Sequence, residues 1–263
     1  MKRFQMLYPR ISLVLFIILL VFLIALSTLD LSRGIFNQNT ANTLAKMWDG
    51  LVNLDLSSAT LSIAFSSTVQ TLVYSIVALS LTLVFALVLG VLGSGVLFDA
   101  PWIASLSHVV MRFARSIHEL IWAWFFVYAM GNNPIAGLLA LSIPYAGGLG
   151  KQFSDSISSV NKEPISSLAS AGASRLQQLI YGYLPAAFLD MLTFTIFRFE
   201  MAVRSTTVLS FIGLGGLGFY IQLAAQDLNY DTLWTYLIVL ILIVSIINIW
   251  GESFRRQVTA DES

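Results

Sequence analysis

Residues 163–185 read E-P-I-S-S-L-A-S-A-G-A-S-R-L-Q-Q-L-I-Y-G-Y-L-P, a stretch too polar to cross a bilayer that lies between apolar segments long enough to do so. Pro164 suits the first turn of a helix. Ile165, Leu168, Gly172, Leu176 and Ile180 then recur at helical spacing along one stripe. The opposite face carries Ser166, Ser170, Ser174, Gln177 and Gln178. The small residues Ser170-Ala171-Gly172-Ala173-Ser174 let another backbone come close, and Gly172 can act as a joint between two short helices. Two readings stand open for such a segment at a membrane surface. It is a plug for a partner protein, or an amphipathic connector resting on lipid headgroups.

The remainder of the chain places it in a membrane protein. Of 263 residues, 57% are hydrophobic and 11% charged, with a mean hydropathy of +0.81. Soluble domains carry about 25% charge. A formal net charge of zero argues against nucleic acid as a partner. With no cysteine, disulfides, thiolate metal sites and cysteine nucleophiles are excluded, and His108 and His118 are too few for a histidine-rich metal site. No cofactor or metal is expected.

Six spans are expected from the apolar runs. The first is Ile11–Leu29, close to the ~20 residues that cross a ~30 Å hydrocarbon core. It is too long for the ~7–15-residue core of a cleaved signal, so a retained anchor is expected. A polar segment with a short interfacial helix near Trp48 follows. The second span is residues 66–91, and a connector with an interfacial amphipathic helix covers 99–115. The third span is 116–130, the fourth 135–150, the fifth 185–211 and the sixth 232–250. Positively charged loops stay cytoplasmic. With both termini inside, Lys2, Arg3, Arg10, Arg112, Arg115, Lys151, Lys162, Arg175, Arg255 and Arg256 lie inside, against Arg33 and Lys46 outside. The 163–185 stretch is therefore expected to face the cytoplasm.

The fifth span is costly. Asp190, Arg198, Glu200 and Arg204 fall on one half of its helix, where a central charge costs at least ~2.5 kcal/mol. Glu200 and Arg204 stand four apart with the acid first, the favourable order for a pair. A structural ion pair and a water-filled pathway in which Arg198 or Arg204 meets an anion both fit. Arg115 and Glu119 show the same spacing at the membrane edge, where snorkelling accounts for them. The glycine run of residues 213–218 follows a membrane helix rather than a strand, so a bend or close packing is expected there, not a nucleotide loop. No Walker A motif occurs, since Gln152 follows Lys151. Catalytic signatures such as H-E-x-x-H and G-x-S-x-G are also absent, so no enzymatic activity is expected, and ATP, if used, is hydrolysed by a separate subunit.

At Ala169–Arg175 and Tyr181–Pro185 the sequence resembles the cytoplasmic loop of ABC-importer permeases. That loop reads Glu-Ala-Ala, three residues, Gly, nine residues, Ile, one residue, Leu-Pro. Gly172, Leu184 and Pro185 match in register; Ser166-Ser167-Leu168 replace Glu-Ala-Ala, and Gly182 replaces Ile. Phe197-Arg-Phe-Glu200, Val203-Arg-Ser205, residues 213–219 and Arg115–Ala123 are similar to the phosphonate-transporter permease subfamily. The resemblance implies an all-α integral membrane protein with six transmembrane helices, the type I ABC importer permease fold, and a cytoplasmic coupling-helix loop. An anchor and external segment would cover 1–56, the permease domain 57–256 with its coupling loop at 152–185, and a cytoplasmic tail 257–263. It further implies a cell-membrane location, a second permease copy as homodimer, a cytoplasmic ATP-binding subunit and an external solute-binding protein, with phosphonate or a related phosphorus oxyanion imported. Ser166, Leu168, Ala169, Gly172, Arg175, Leu184 and Pro185 would couple to the ATPase, and Arg198, Glu200 and Arg204 would line the pathway. An ion-coupled secondary transporter using Glu200 and Asp190, or a membrane scaffold, remains the alternative.

Overall fold

The computed structural model describes residues 7–28, 38–210 and 215–260, and all their regular structure is helical. The chain divides into two compact units, Met1–Trp48 and Asp49–Ser263. In the first, α1 (Leu7–Thr28) is a 22-residue apolar helix whose described side chains from Leu13 to Leu26 are mostly bare of protein contact. Helix α2 (Gln38–Val52) begins in the first unit and ends in the second.

The second unit is built around α6 (Pro134–Ser159), which packs against α3 (Ser58–Ser94), α4 (Pro101–Ser116), α5 (Glu119–Met130) and α9 (Leu184–Leu209). Helix α6 is the hub because its residues are small. A Cβ on Gly147 would sit 2.6 Å from the Met111 carbonyl, and one on Gly150 would sit 3.4 Å from the Ala86 carbonyl. Without a hydrophobic drive between helices in lipid, such close backbone approach supplies the packing energy. The facing stripe of α3 is equally small: Thr60, Ala64, Ser67, Thr71, Ser75, Ala78, Thr82, Ala86, Gly90 and Gly93 are all buried. Ser142 Oγ donates to the Ala78 carbonyl at 3.0 Å, and Ser75 and Thr206 hydroxyls meet at 3.1 Å. Matching Ala78 with Ser142 and Ala86 with Gly150 makes α3 and α6 parallel.

Helices α4 and α5 run end to end, antiparallel to α6. Met111 and Ala114 meet Gly147, whereas Ala123 joins Ala140, Leu141 and Tyr145 in one apolar cluster. The expected interfacial helix over 99–115 is thus packed along the bundle, with Met111 and Ala114 buried and Trp102, Leu106 and Phe113 exposed. The expected third span is only part of that broken rod. Alone, the 12 residues of α5 reach about 18 Å, well short of the hydrocarbon core.

Among the described residues, three stretches are long and apolar enough to cross a membrane: Ser58–Ser94, Arg175–Leu209 and Tyr230–Gln257, with Leu13–Ser27 and Glu119–Met130 shorter. The second span therefore extends beyond the expected 66–91 at both ends. The last helix, α11 (Tyr230–Ala260), continues past Trp250, so it runs beyond the expected sixth span and carries Arg255 and Arg256. Between α9 and α11, Gly215 and Gly216 adopt φ of +77° and +87°, the bend that the glycine run leads one to expect. Gln70 Oε1 accepts from the Gly216 amide (3.2 Å), and Thr71 Oγ1 accepts from Leu217 at the start of α10 (Leu217–Gln226; 2.9 Å). Gly213 and Leu214 lie outside the described residues.

Candidate functional site

Two constellations emerge, one at an end of the bundle and one within it. The first is the 163–185 stretch. Helix α7 (Lys162–Ser170) starts on Asn161, whose side chain accepts from Glu163 N, and stops in a Schellman turn. Ala173 N donates to the Leu168 carbonyl (3.1 Å) and Gly172 N to the Ala169 carbonyl (3.0 Å), with Gly172 at φ +86°. Ser174 then caps α8 (Arg175–Gln178) in a reciprocal box with Gln177. Gly172 is thus the expected joint. The single long stripe expected from Ile165 to Ile180 is not formed, because the joint reorients the chain. Ile165 is buried and Leu168 half-buried, whereas Leu176 and Ile180 are exposed.

A π-helical turn at Leu179–Tyr183 leads into α9, where Leu184 is half-buried and Pro185 exposed. Gly182 has a reason to be glycine. A Cβ there would lie 2.5 Å from Ile165 Cδ1 and 3.2 Å from Leu168 Cδ1, so the side chains of α7 fill the space that Ile occupies in the related pattern. Arg175 is not free for a partner's acid. Its guanidinium pairs with Asp99 in the α3–α4 turn and reaches the Val96 carbonyl (3.5 Å). Ser166, Ala169 and Gly172 are exposed, and a Cβ on Gly172 would meet nothing within 4 Å. The outer surface of the elbow is open.

The second constellation lies on α9. The four charges there do not share a neighbour, since they spread over almost half of the helix circumference. Arg198 turns to α6: its Cζ stands 4.8 Å from the Tyr145 ring centroid, and its Nη2 would lie 2.8 Å from a Cβ on Gly148. Its Nε is buried without a hydrogen-bond partner. Tyr145 and Ser205 hydroxyls are 2.8 Å apart, and Ser205 Oγ donates to Glu119 Oε1 at 3.0 Å. Glu200 turns the other way and is buried, 5% exposed. It pairs with Arg255 on α11, and Gly251 leaves room for its carboxylate. The expected Glu200–Arg204 pair does not form. A neighbouring helix offers Glu200 a buried partner, and Arg204 stays exposed with Met201 Sδ at 3.4 Å. The Arg115–Glu119 spacing fails as well. Ile117 and His118 are extended (φ −103°, ψ 127°; φ −65°, ψ 145°), so the two residues sit on separate helices, and Glu119 faces His118 at 3.8 Å. Asp190 is exposed near the elbow, in a cleft lined also by Ser156, Ser159 and Tyr181.

Tyr145, Gly148, Ser205 and Arg255 are the residues that sequence reasoning did not bring to the site. Tyr145 had a signal: it is the one aromatic among the small residues of 139–150. Arg255 had none beyond its positive charge. No cluster of metal-ligating side chains occurs among the described residues.

An all-helical bundle with small-residue packing, an exposed elbow at one end and buried charges within defines a polytopic membrane transport subunit. The chain belongs to the family described as binding-protein-dependent transport system inner membrane component, which it matches over residues 86–260. It is the permease component of an ABC importer, a multi-pass inner-membrane protein. Among its relatives is the phosphite transport system permease protein PtxC of Stutzerimonas stutzeri, 28% identical over 72% of this chain and 69% of the relative. The phosphate-import permease protein PhnE of Mycolicibacterium smegmatis is 27% identical over 72% of this chain and 35% of its own length. In fold, the chain is similar to an inward-facing structure of the MetNI methionine ABC transporter. That likeness has a TM-score of 0.66 and 20% identity, and covers 77% of this chain and 99% of the other.

Proposed function

We propose that this permease imports a phosphorus oxyanion of the phosphite, phosphonate or phosphate class, as a homodimer driven by a separate ATP-binding subunit and fed by an external solute-binding protein. Both termini are cytoplasmic in this reading, and six helices span the membrane, with the α4–α5 rod as the broken one. The segmentation is an anchor and external part over 1–56, the permease domain over 57–256 and a tail over 257–263. The elbow within 152–185 docks the ATPase through Ser166, Leu168, Ala169 and Gly172. Arg175 holds it to the α3–α4 turn, and Leu184 and Pro185 carry its movement into α9. Arg198 and Arg204 are the cations of the pathway, and Glu200 sets the position of α9 beside it.

The observation that supports the docking role best is the open outer face of a rigidly tied elbow. Its inner side is spent on Gly182 and Asp99, and its outer side on nothing among the described residues. The substrate class rests on relatives that carry phosphite and phosphate in their names, together with a half-buried arginine whose Nε has no partner. The test is uptake of phosphite, methylphosphonate and phosphate into vesicles holding the complete transporter, energised by ATP or by an imposed proton gradient. ATP-dependent uptake of one of the three is expected. Uptake driven by the gradient alone would make the chain a secondary transporter, and uptake under neither would leave it a scaffold.

A further inference from the structure

Arg198 is placed as a ligand-holding group more than as a structural one. It lies 14 residues past Leu184, about 21 Å along α9, and Tyr145 lies 11 residues, about 17 Å, past Pro134, so the two meet near mid-depth of the bundle. An arginine kept for packing alone would spend its donors on carbonyls or a carboxylate, since a buried donor left unmade costs about 1–3 kcal/mol. Here the guanidinium is positioned by an aromatic ring and a glycine instead. Its Cζ stands over the Tyr145 ring, and the bare backbone of Gly148 lies against Nη2. The in-plane donors have no partner among the described residues, and Nε is buried. A guanidinium held over a ring with its N–H donors unused can offer two parallel N–H···O bonds, the geometry that oxyanions accept.

The groups behind it fix the platform. Ser205 gives its proton to Glu119, so the Tyr145 hydroxyl must donate to Ser205 and cannot turn toward Arg198. The ring is pinned at its hydroxyl end, and the nearest carboxylate is placed behind Tyr145. Glu119 also acts electrostatically on Arg198. It thus offsets part of the Arg198 charge, and an anion is held less tightly than by a bare cation. That balance suits a stop on a path, which must bind well enough to admit an ion and weakly enough to release it.

We infer that Arg198, seated on Tyr145 over Gly148, is an intramembrane station for a single tetrahedral oxyanion, with Tyr145, Ser205 and Glu119 as its positioning residues. The inference rests on the import reading above and adds the place where the ion pauses. The experiment uses the complete transporter in vesicles, with phosphite, methylphosphonate and inorganic phosphate each supplied as probe. Arg198→Met keeps the bulk of the side chain and removes its charge; Arg198→Lys keeps the charge without the fork. The Met variant should lose roughly 10–100-fold in uptake, the scale of one charge-assisted contact, while hydrolysing ATP in response to the loaded binding protein as the parent does. The Lys variant should fall between. Gly148→Ala, which pushes on Nη2, should lower uptake severalfold with Arg198 intact. Parent-like uptake by Arg198→Met overturns the station and leaves the import reading standing. An equal fall in Met and Lys variants, with stimulated hydrolysis lost too, shows packing cement and also overturns it. If the parent transports none of the three probes, both readings fall.

Discussion

Gly172 separates two effects that are usually confounded, the conformation of a joint and the room a partner needs. Its φ of +86° places any L-residue in the left-handed region, at a cost of about 1–2 kcal/mol. A Cβ there meets nothing within 4 Å, so no clash inside the chain is added. Gly172→Ala and Gly172→Leu therefore carry nearly the same backbone penalty, about a 5–30-fold shift against the native turn. Gly172→Asn should cost less, since Asn visits this region more readily. Part of the shift is absorbed, because Ile165 over Gly182 and Arg175 on Asp99 hold the elbow from both sides. What distinguishes Leu from Ala is only the bulk it presents outward. If an ATPase seats on this face, Ala should assemble with modest loss, and Leu should co-purify poorly or leave ATP hydrolysis unresponsive to the loaded binding protein. The assay is ATPase co-purification together with stimulated hydrolysis in vesicles. Leu and Ala behaving alike would show that the elbow presents nothing to a partner at this point.

Other expectations follow from the same geometry. Arg255→Met strands the Glu200 carboxylate, 5% exposed, and should cost about 3–5 kcal/mol, read as a lowered melting temperature in detergent and largely recovered by adding Glu200→Gln; Arg204→Gln should leave melting unchanged. Asp55 accepts from the Thr60 hydroxyl and the Ser57 amide, and also from Thr232 on α11, which lowers its pKa from 3.8 to about 2. A depressed acid contributes stability that is complete above pH ~4 and lost as pH falls through about 2. Asp55→Asn should flatten the acid limb of a melting-temperature profile between those values, and an unchanged limb would remove Asp55 from the acid response. In intact cells, an impermeant thiol reagent should label Asn229→Cys and spare Ser170→Cys, both exposed positions in a chain without native cysteine; labelling of Ser170→Cys would invert the orientation.

The elbow was legible in the sequence because its code is local. Gly172 in the left-handed region, Ser174 as cap and Gln177 three residues on are decided within a few residues of one another. The same holds for the glycine bend, where positive φ at Gly215 and Gly216 follows from residue type. The helix of the third span starts later than expected for a reason that was also local. His118 followed by Glu119 is a helix start, with the imidazole accepting from Leu120 N at 3.3 Å and the acid in the first turn. An apolar count across 116–130 overrides that mark, and with it the Arg115–Glu119 pairing is lost.

What could not be read is which neighbour a charge would choose. Glu200 had Arg204 one turn away and took Arg255, 55 positions on. Spacing along a helix offers a pair worth about 0.2–0.5 kcal/mol at an exposed surface. A partner on the next helix lets the carboxylate be buried with its charge matched, and leaving it buried alone would cost several times more. Tertiary packing therefore decides, and it decides differently for each charge on α9. Glu200 is committed to α11, and Arg204 is left outside. Arg198 faces α6, where Tyr145 and Gly148 hold its guanidinium without satisfying it. Of the three pathway candidates Arg198 is therefore the first to test, because its donors are the ones the described residues leave unmade.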